Sequence, residues 1–336
     1  MPAHTVDLDI VAQMLQSVGI SRPPAGLKLE PCLGGANGRV YRVETGEFPV
    51  VLKVYFADSR DRLSSEFAFL QYAKSCGITC VAAPLMRSDT NHMALFTYLD
   101  GEPIIESQVD DATVLQAGEF FSALNRSPCR SMEPELPMAA EACFSLHQHV
   151  ECIQMRIDRL SELVPKDTVD RDATDFVHER LVPAWMDARA LIRVRADECG
   201  IDFVEELPLT QRYVSPSDFG FHNMRKALNG QVLFFDFEYA GWDDPAKLLC
   251  DFALQVALPL PTSYYHVFQQ TALKRLPDST TIARRAELLM PLYRVKWACI
   301  LLNEFLRDGR RRRRFAVGDI SDRRPVQLSK AIRMLG

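Results

Sequence analysis

The stretch that decides the fold runs from Gln211 to Asp251: QRYVSPSDFGFHNMRKALNGQVLFFDFEYAGWDDPAKLLCD. Two apolar runs, 224–228 and 232–235, flank Asn229-Gly230, a strong hairpin signal. Asp218 and Asn223 precede the hairpin in D-x-x-x-x-N spacing, and Asp236 ends its second run. Folding the hairpin returns the chain on itself and brings Asp236 beside the loop that holds Asp218 and Asn223. Two carboxylates and an amide oxygen then surround one small volume. Such a set suits a hard cation, which takes oxygen ligands, with one carboxylate left to handle a proton. Each residue alone has an ordinary use in capping a turn or ending a strand. The combination with the hairpin is what points to chemistry.

Joined in this order, the residues have the arrangement of a kinase catalytic loop followed by a metal-binding Asp. The stretch resembles the catalytic segment of the aminoglycoside phosphotransferase and choline kinase family. The family pattern is H-G-D-x-x-x-x-N, a hairpin, then I-D-[WF]-E-x-A-x-x-G/D-D-P. Asp218, Asn223, Asp236-Phe237-Glu238, Ala240 and Asp244-Pro245 match it. Pro216-Ser217 stands where the family has His-Gly; that His supports the loop without touching the transferred phosphate.

The resemblance implies an α+β, protein-kinase-like fold of two lobes. Residues 1–100 would form an N-lobe with an antiparallel sheet and one helix, and residues 101–336 a mostly helical C-lobe. It implies ATP- and Mg²⁺-dependent transfer of the γ-phosphoryl group to a hydroxyl of a small molecule: an aminoglycoside, amino alcohol, sugar or nucleoside. Asp218 would accept or orient the acceptor proton, and Asn223 and Asp236 would hold Mg²⁺. Glu238 and Trp242 are candidates for touching the acceptor. The competing reading is a pseudokinase that binds nucleotide without turnover. A protein-directed kinase is disfavoured, because A-G-W-D-D-P after Asp236 leaves no room for an activation loop ending in A-P-E.

The N-terminal third supplies the remaining parts. Residues 5–19 have helical spacing, and Pro23-Pro24 ends that segment. Strand-like runs follow at 27–33, 39–44 and 50–55. The first turn, G-G-A-N-G, carries Gly34, Gly35 and Gly38 between two strands. With no helix after it, it is not a dinucleotide fingerprint, and no G-K-[ST] marks a P-loop. A turn tip without side chains lets backbone N–H groups approach phosphates. Alternation sets Lys53 on the face opposite Val50, Leu52 and Val54. Glu66, on the next helix, is the acid best placed to pair with it and hold it toward the phosphates. Runs at 79–86 and 93–99 read as the last two strands of this lobe. A-L-F-T-Y-L-D-G resembles the family hinge, so backbone groups of Thr97, Tyr98 and Leu99 would meet the adenine edge.

Beyond Asp110 the chain reads as helical: 112–125, 139–163, 168–197 with a break at Pro183, 245–256, 261–273, 281–306 and 324–335, with a loop at 126–137. Asn125 stands where the family helix ends in His. Phe144, His147 and His149 fit core or surface packing better than an acceptor pocket.

The 336 residues are 47% hydrophobic, enough for a large core. A net charge of −5 gives no global basic field to recruit nucleic acid. The opening M-P-A-H-T-V-D-L-D-I lacks the pattern of a signal peptide. Residues 288–306 are interrupted by Arg294, Lys296, Asn303 and Glu304 and read as a buried helix, so no membrane partner is expected. Nine cysteines without paired C-x-x-C spacing fit reduced thiols in a cytoplasmic protein. The run Arg310–Arg314 reads as a solvated turn.

Overall fold

The computed structural model describes residues 6–21, 26–32, 38–57, 60–130, 135–306 and 322–336. Gly34, Gly35 and Arg310–Arg314 lie outside them. Five strands, β1 (Lys28–Cys32), β2 (Gly38–Glu44), β3 (Val50–Tyr55), β4 (Pro84–Ser88) and β5 (Met93–Thr97), form one antiparallel sheet in the order β1-β2-β3-β5-β4. Alternation along β3 sorts its two faces. Val50 and Leu52 pack with Val11, Met14 and Leu15 of the opening helix α1 (Leu8–Ser17). Val51 and Tyr55 join the opposite core, with Phe69 and Leu70 of α2 (Arg62–Ser75). Asp61 caps α2, its carboxylate accepting the Ser64 N–H at 3.1 Å.

β4 begins later than the apolar pattern at 79–86 suggests. Val81 instead bridges to Phe234, and the Phe234 N–H donates to the Cys80 carbonyl at 2.9 Å. This segment is therefore tied to the hairpin rather than to the N-terminal sheet.

Past the sheet, β6 (Glu102–Pro103) pairs with β8 (Met224–Lys226), and β8 with β9 (Val232–Phe234). The hairpin turn spans 227–231, closed by the Ala227 N–H on the Gln231 carbonyl at 2.9 Å. Two further short strands, β7 (Tyr213–Ser215) and β10 (Gly241–Asp243), pair antiparallel. Among the described residues the helices that follow are α3 (Asp111–Leu124), α4 (Ser127–Arg130), α5 (Leu146–Ser161), α6 (Thr168–Phe176), α7 (Val182–Glu198), α8 (Pro245–Ala253), α9 (Thr262–Leu273), α10 (Ser279–Leu301) and α11 (Arg324–Leu335).

Two of these expectations are corrected and a third is refined. The 126–137 segment contains the single turn α4. Residues 139–145 are not helical: Ala139 N–H donates to the Trp242 carbonyl and Ala140 N–H to that of Tyr239, both at 3.0 Å, so this stretch follows β10. Ser145 then caps α5. At 168–197 the interruption expected at Pro183 is a π-turn, Val177–Leu181, just ahead of that proline, with the Val182 N–H on the Val177 carbonyl and helical backbone continuing into α7.

Phe120, Phe219, Phe234, Phe237, Phe252 and Phe268 form a connected aromatic core, with centroids 4.3 Å apart for Phe120–Phe234 and 3.7 Å for Phe252–Phe268. It joins α3, β9, α8 and α9 beneath the loop that carries Asp218. Among the described residues no helix is long and apolar enough to cross a membrane.

Candidate active site

The period-2 geometry of β3 turns Lys53 toward α2, where its buried ammonium meets three carboxylates. Nζ lies 2.7 Å from Glu66 Oε2, 2.5 Å from Asp236 Oδ1 and 3.4 Å from Glu238 Oε2. Burial alone would lower the lysine's pKa. The charges of Asp236, Glu66 and Glu238 outweigh it and hold the group charged well above its ordinary range. Glu66 is fixed further by the Tyr55 hydroxyl at 2.7 Å and the Phe237 N–H at 3.2 Å. Glu238 is pushed up to about 7 by burial, with Lys53 pulling down and Asp236 and Glu66 pushing up.

Asp236 holds left-handed backbone, φ 67°, two residues past the end of β9. The hairpin delivers it beside the Asp218 loop: the Phe235 N–H donates to the Asn223 carbonyl at 3.2 Å. Asn223 is buried, and its Nδ2 donates to the Asp218 carbonyl at 2.8 Å, which leaves the amide oxygen as its acceptor. A buried amide oxygen and a half-exposed carboxylate form a donor set that fits a hard divalent cation. An acidic trio among the described residues, Glu66, Asp236 and Glu238, is already engaged by Lys53.

The Asp218 loop is anchored at its base. Asn125, at the end of α3, brackets Val214 of β7: its Oδ1 accepts the Val214 N–H at 2.8 Å and its Nδ2 donates to the Val214 carbonyl at 2.9 Å. Ser217 adopts φ 65°, and its N–H donates to Ser215 Oγ at 3.1 Å. The Asp218 carboxylate is exposed to the cleft, and His222 Nε2 stands 3.3 Å from its Oδ1. Although the protein packed around the loop works against ionisation, His222 and the charge of Lys296 hold Asp218 below its ordinary range.

Asp218 opens onto a cavity of about 760 Å³ whose walls include Glu141, Phe219, Tyr239, Lys296 and Trp297. Glu141, also left-handed at φ 58°, binds Arg60 at 3.1 Å and Arg156, and its carbonyl accepts from Lys247 Nζ at 3.0 Å. Glu238 and Trp242 are not among the lining residues. Glu238 sits behind Lys53, and Trp242 is held in β10 opposite Val214. Of the hinge residues, Thr97 already uses its N–H on the Ala83 carbonyl at 3.0 Å, and the Tyr98 ring lies 5.0 Å under the Arg42 guanidinium. Leu99 follows, half-buried. Gly38 opens β2 opposite Tyr55.

Sequence reasoning missed His222 and the cavity residues. His222 had a local signal, four residues beyond Asp218. Glu141, Tyr239, Lys296 and Trp297 had none, since long-range packing alone brings them together.

The model of the phosphotransferase enzyme family matches residues 28–287. Comparison with curated protein sequences gave no match. Among solved structures, a spectinomycin phosphotransferase in complex with ADP and spectinomycin is 10% identical, with a TM-score of 0.64 covering 99% of each chain. A choline kinase from Cryptosporidium parvum Iowa II is 11% identical, with a TM-score of 0.57 over 98% of this chain and 96% of that one. A choline kinase from Streptococcus pneumoniae is 14% identical, with a TM-score of 0.58 over 97% and 98%. These likenesses share the kinase-like fold, and the family match spans more than half of the sequence. The chain belongs to the phosphotransferase enzyme family and is a small-molecule phosphotransferase.

Proposed function

We propose that the chain transfers the γ-phosphoryl group of ATP to a hydroxyl of a small molecule seated in the cavity beside Asp218. One observation carries this reading. Lys53 pairs with Glu66 and Asp236, the residue before Asp236 is hydrogen-bonded to Asn223, and Asp218 of the same loop lines the cavity. In this reading residues 1–100 form the nucleotide lobe, and the chain passes to the second lobe where β6 joins the hairpin sheet. Gly34, Gly35 and Gly38 would lie near the phosphates, with Lys53 positioning them and Thr97, Tyr98 and Leu99 facing the adenine. Asn223 and Asp236 would hold Mg²⁺, which supplies charge neutralisation of the phosphates when bound. Asp218 orients the acceptor hydroxyl and takes up its proton. Most of the chemistry is then positioning and electrostatics, because phosphoryl transfer asks little covalent help of the protein. The neighbours named for spectinomycin and choline favour a polar, hydroxyl-bearing acceptor.

The test separates binding from turnover. Asp218→Asn keeps the shape of the side chain but cannot take up a proton. Mg-ATP affinity by calorimetry should persist, while single-turnover transfer to an acceptor found by screening falls about 10²–10⁴-fold. Equal transfer rates would remove Asp218 from the reaction. Asp236→Ala should abolish Mg²⁺-dependent ATP binding; unchanged affinity would reject the cation assignment. A parent protein that binds Mg-ATP yet phosphorylates nothing in a broad hydroxyl panel would favour the pseudokinase reading.

A further inference from the structure

The family pattern supports its catalytic loop with a histidine two residues ahead of the aspartate. Pro216 stands there in this chain and has no donor to give. A different histidine approaches the same aspartate from the other side. The turn Phe221–Asn223 folds His222 back until Nε2 stands 3.3 Å from Asp218 Oδ1.

Gly220 makes room for this. A Cβ at that position would lie 2.9 Å from His222 Cε1, 2.9 Å from His222 Nδ1 and 2.9 Å from Gln255 Oε1. Any side chain there would displace the imidazole. Gln255 is buried and fixes the turn from below: its Oε1 accepts the Phe221 N–H at 2.8 Å and its Nε2 donates to the Phe252 carbonyl at 3.0 Å. Asn223 ties the Asp218 carbonyl at 2.8 Å. These bonds fasten the backbone of the loop, whereas His222 reaches the carboxylate itself.

We propose that His222 is a positioning residue for Asp218: donating from Nε2 to Oδ1, it sets the rotation of the carboxylate so that Oδ2 is presented to the acceptor hydroxyl. This rests on the phosphotransfer reading given above. An ionised carboxylate only accepts, so the contact requires an N–H at Nε2 and nothing more. A neutral ring in that tautomer suffices. At 3.3 Å the contact is slightly longer than a formed N–H···O bond, as hydrogen bonds of catalytic groups often are before the acceptor seats. The structure thus replaces an upstream support by a downstream one, with Gly220 as the enabling residue.

Two measurements test this. In single-turnover kinetics with Mg-ATP and an acceptor that the parent phosphorylates, His222→Ala should lower the transfer rate about 10-fold, the loss of one charge-assisted bond. The KM values for ATP and acceptor should stay within about twofold. His222→Gln, whose amide can still donate, should recover most of the rate. A rate within about twofold of the parent in His222→Ala overturns the proposal. So does a loss spread over rate, both KM values and thermal stability, with no rescue by Gln, which marks a merely structural residue.

Independently of turnover, Asp218→Asn in protein labelled with ¹⁵N-histidine should shift the His222 Nε2 resonance. An unmoved resonance removes the contact and the proposal with it. If Nε2 moves but the parent phosphorylates no acceptor, the phosphotransfer reading fails and the positioning role falls with it, while the contact stands.

Discussion

Ser217 and Asp236 hold left-handed backbone, φ 65° and 67°, one just before Asp218 and one at the end of the hairpin. Non-glycine residues in this region carry a strain of about 1–2 kcal/mol, and such strain clusters where side chains must be aimed. At Ser217 the family pattern has Gly, so the departure visible in the sequence has a conformational cost. Ser217→Gly should change stability by less than about 0.5 kcal/mol, since relief of strain is offset by the greater freedom of glycine in the unfolded chain. Ser217→Val, stiff at χ1, should destabilise by about 2 kcal/mol. Urea unfolding measures both, and a Val variant as stable as the parent would show that the loop relaxes without cost. Asp218, Asn223 and Asp236 were legible at this scale because a short loop and a hairpin bring them together within 19 residues of sequence. The multiple contacts of Lys53 were legible only in part. Strand alternation gives the side its ammonium faces, but Asp236 and Glu238 reach it from almost two hundred residues away.

Among the elements, β10 is tightly constrained. It is bounded by β7 on one side and the 137–139 segment on the other, with the Trp242 N–H on the Pro137 carbonyl at 2.9 Å. A Cβ on Gly241 would lie 2.2 Å from that carbonyl oxygen and 2.6 Å from the Ala139 nitrogen, both backbone atoms that have nowhere to go. Gly241→Ala should therefore destabilise by about 3 kcal/mol, read as a lower denaturant midpoint with an unchanged slope. A parent-like midpoint would mean that the 137–139 segment moves aside freely. The same packing explains why the helix expected at 139–163 starts late. Helical spacing persists through 139–145, but backbone hydrogen bonds to β10 and its approach take precedence there. By contrast β3, α3 and α11 matched their sequence patterns within a residue or so, because their apolar spacing agrees with the packing and Asp110 caps α3.

For the whole molecule, stability in acid depends on a buried pair under the C-lobe helices. His149 Nε2 lies 3.1 Å from Asp244 Oδ2 and Nδ1 lies 2.8 Å from the Tyr293 hydroxyl; Arg285 Nε holds the same Asp244 oxygen at 2.5 Å. Burial, against the pull of Asp244, lowers His149 to about 4, so the ring is neutral in the folded protein. An unfolded histidine takes up its proton near pH 6.5. Between about pH 6.5 and 4 the unfolded chain binds the additional proton, and stability falls as pH falls through that window. The loss by pH 4 should be roughly 3 kcal/mol, absent above pH 6.5. Denaturant unfolding at a series of pH values should show this slope in the parent and a flatter one in His149→Gln; parallel slopes would reject the assignment. Neither this pair nor the cavity could be read from the sequence. The cavity's walls run from Arg60 to Gln327, and only the packed helices decide which of those side chains meet.

The placement of the tryptophans sets what light can report about this protein. Its three indoles, Trp185, Trp242 and Trp297, all follow residue 100. Trp185 is buried, and Trp242 is fixed in β10. Trp297 lines the cavity, with its Nε1–H on Asp251 at 3.0 Å beside the Lys296 ammonium. Intrinsic emission therefore views the cavity directly and the N-terminal sheet hardly at all. A fluorescence change on adding a small molecule would mark occupancy of the cavity, while a ligand bound at the sheet would need a label placed in the first hundred residues to be seen.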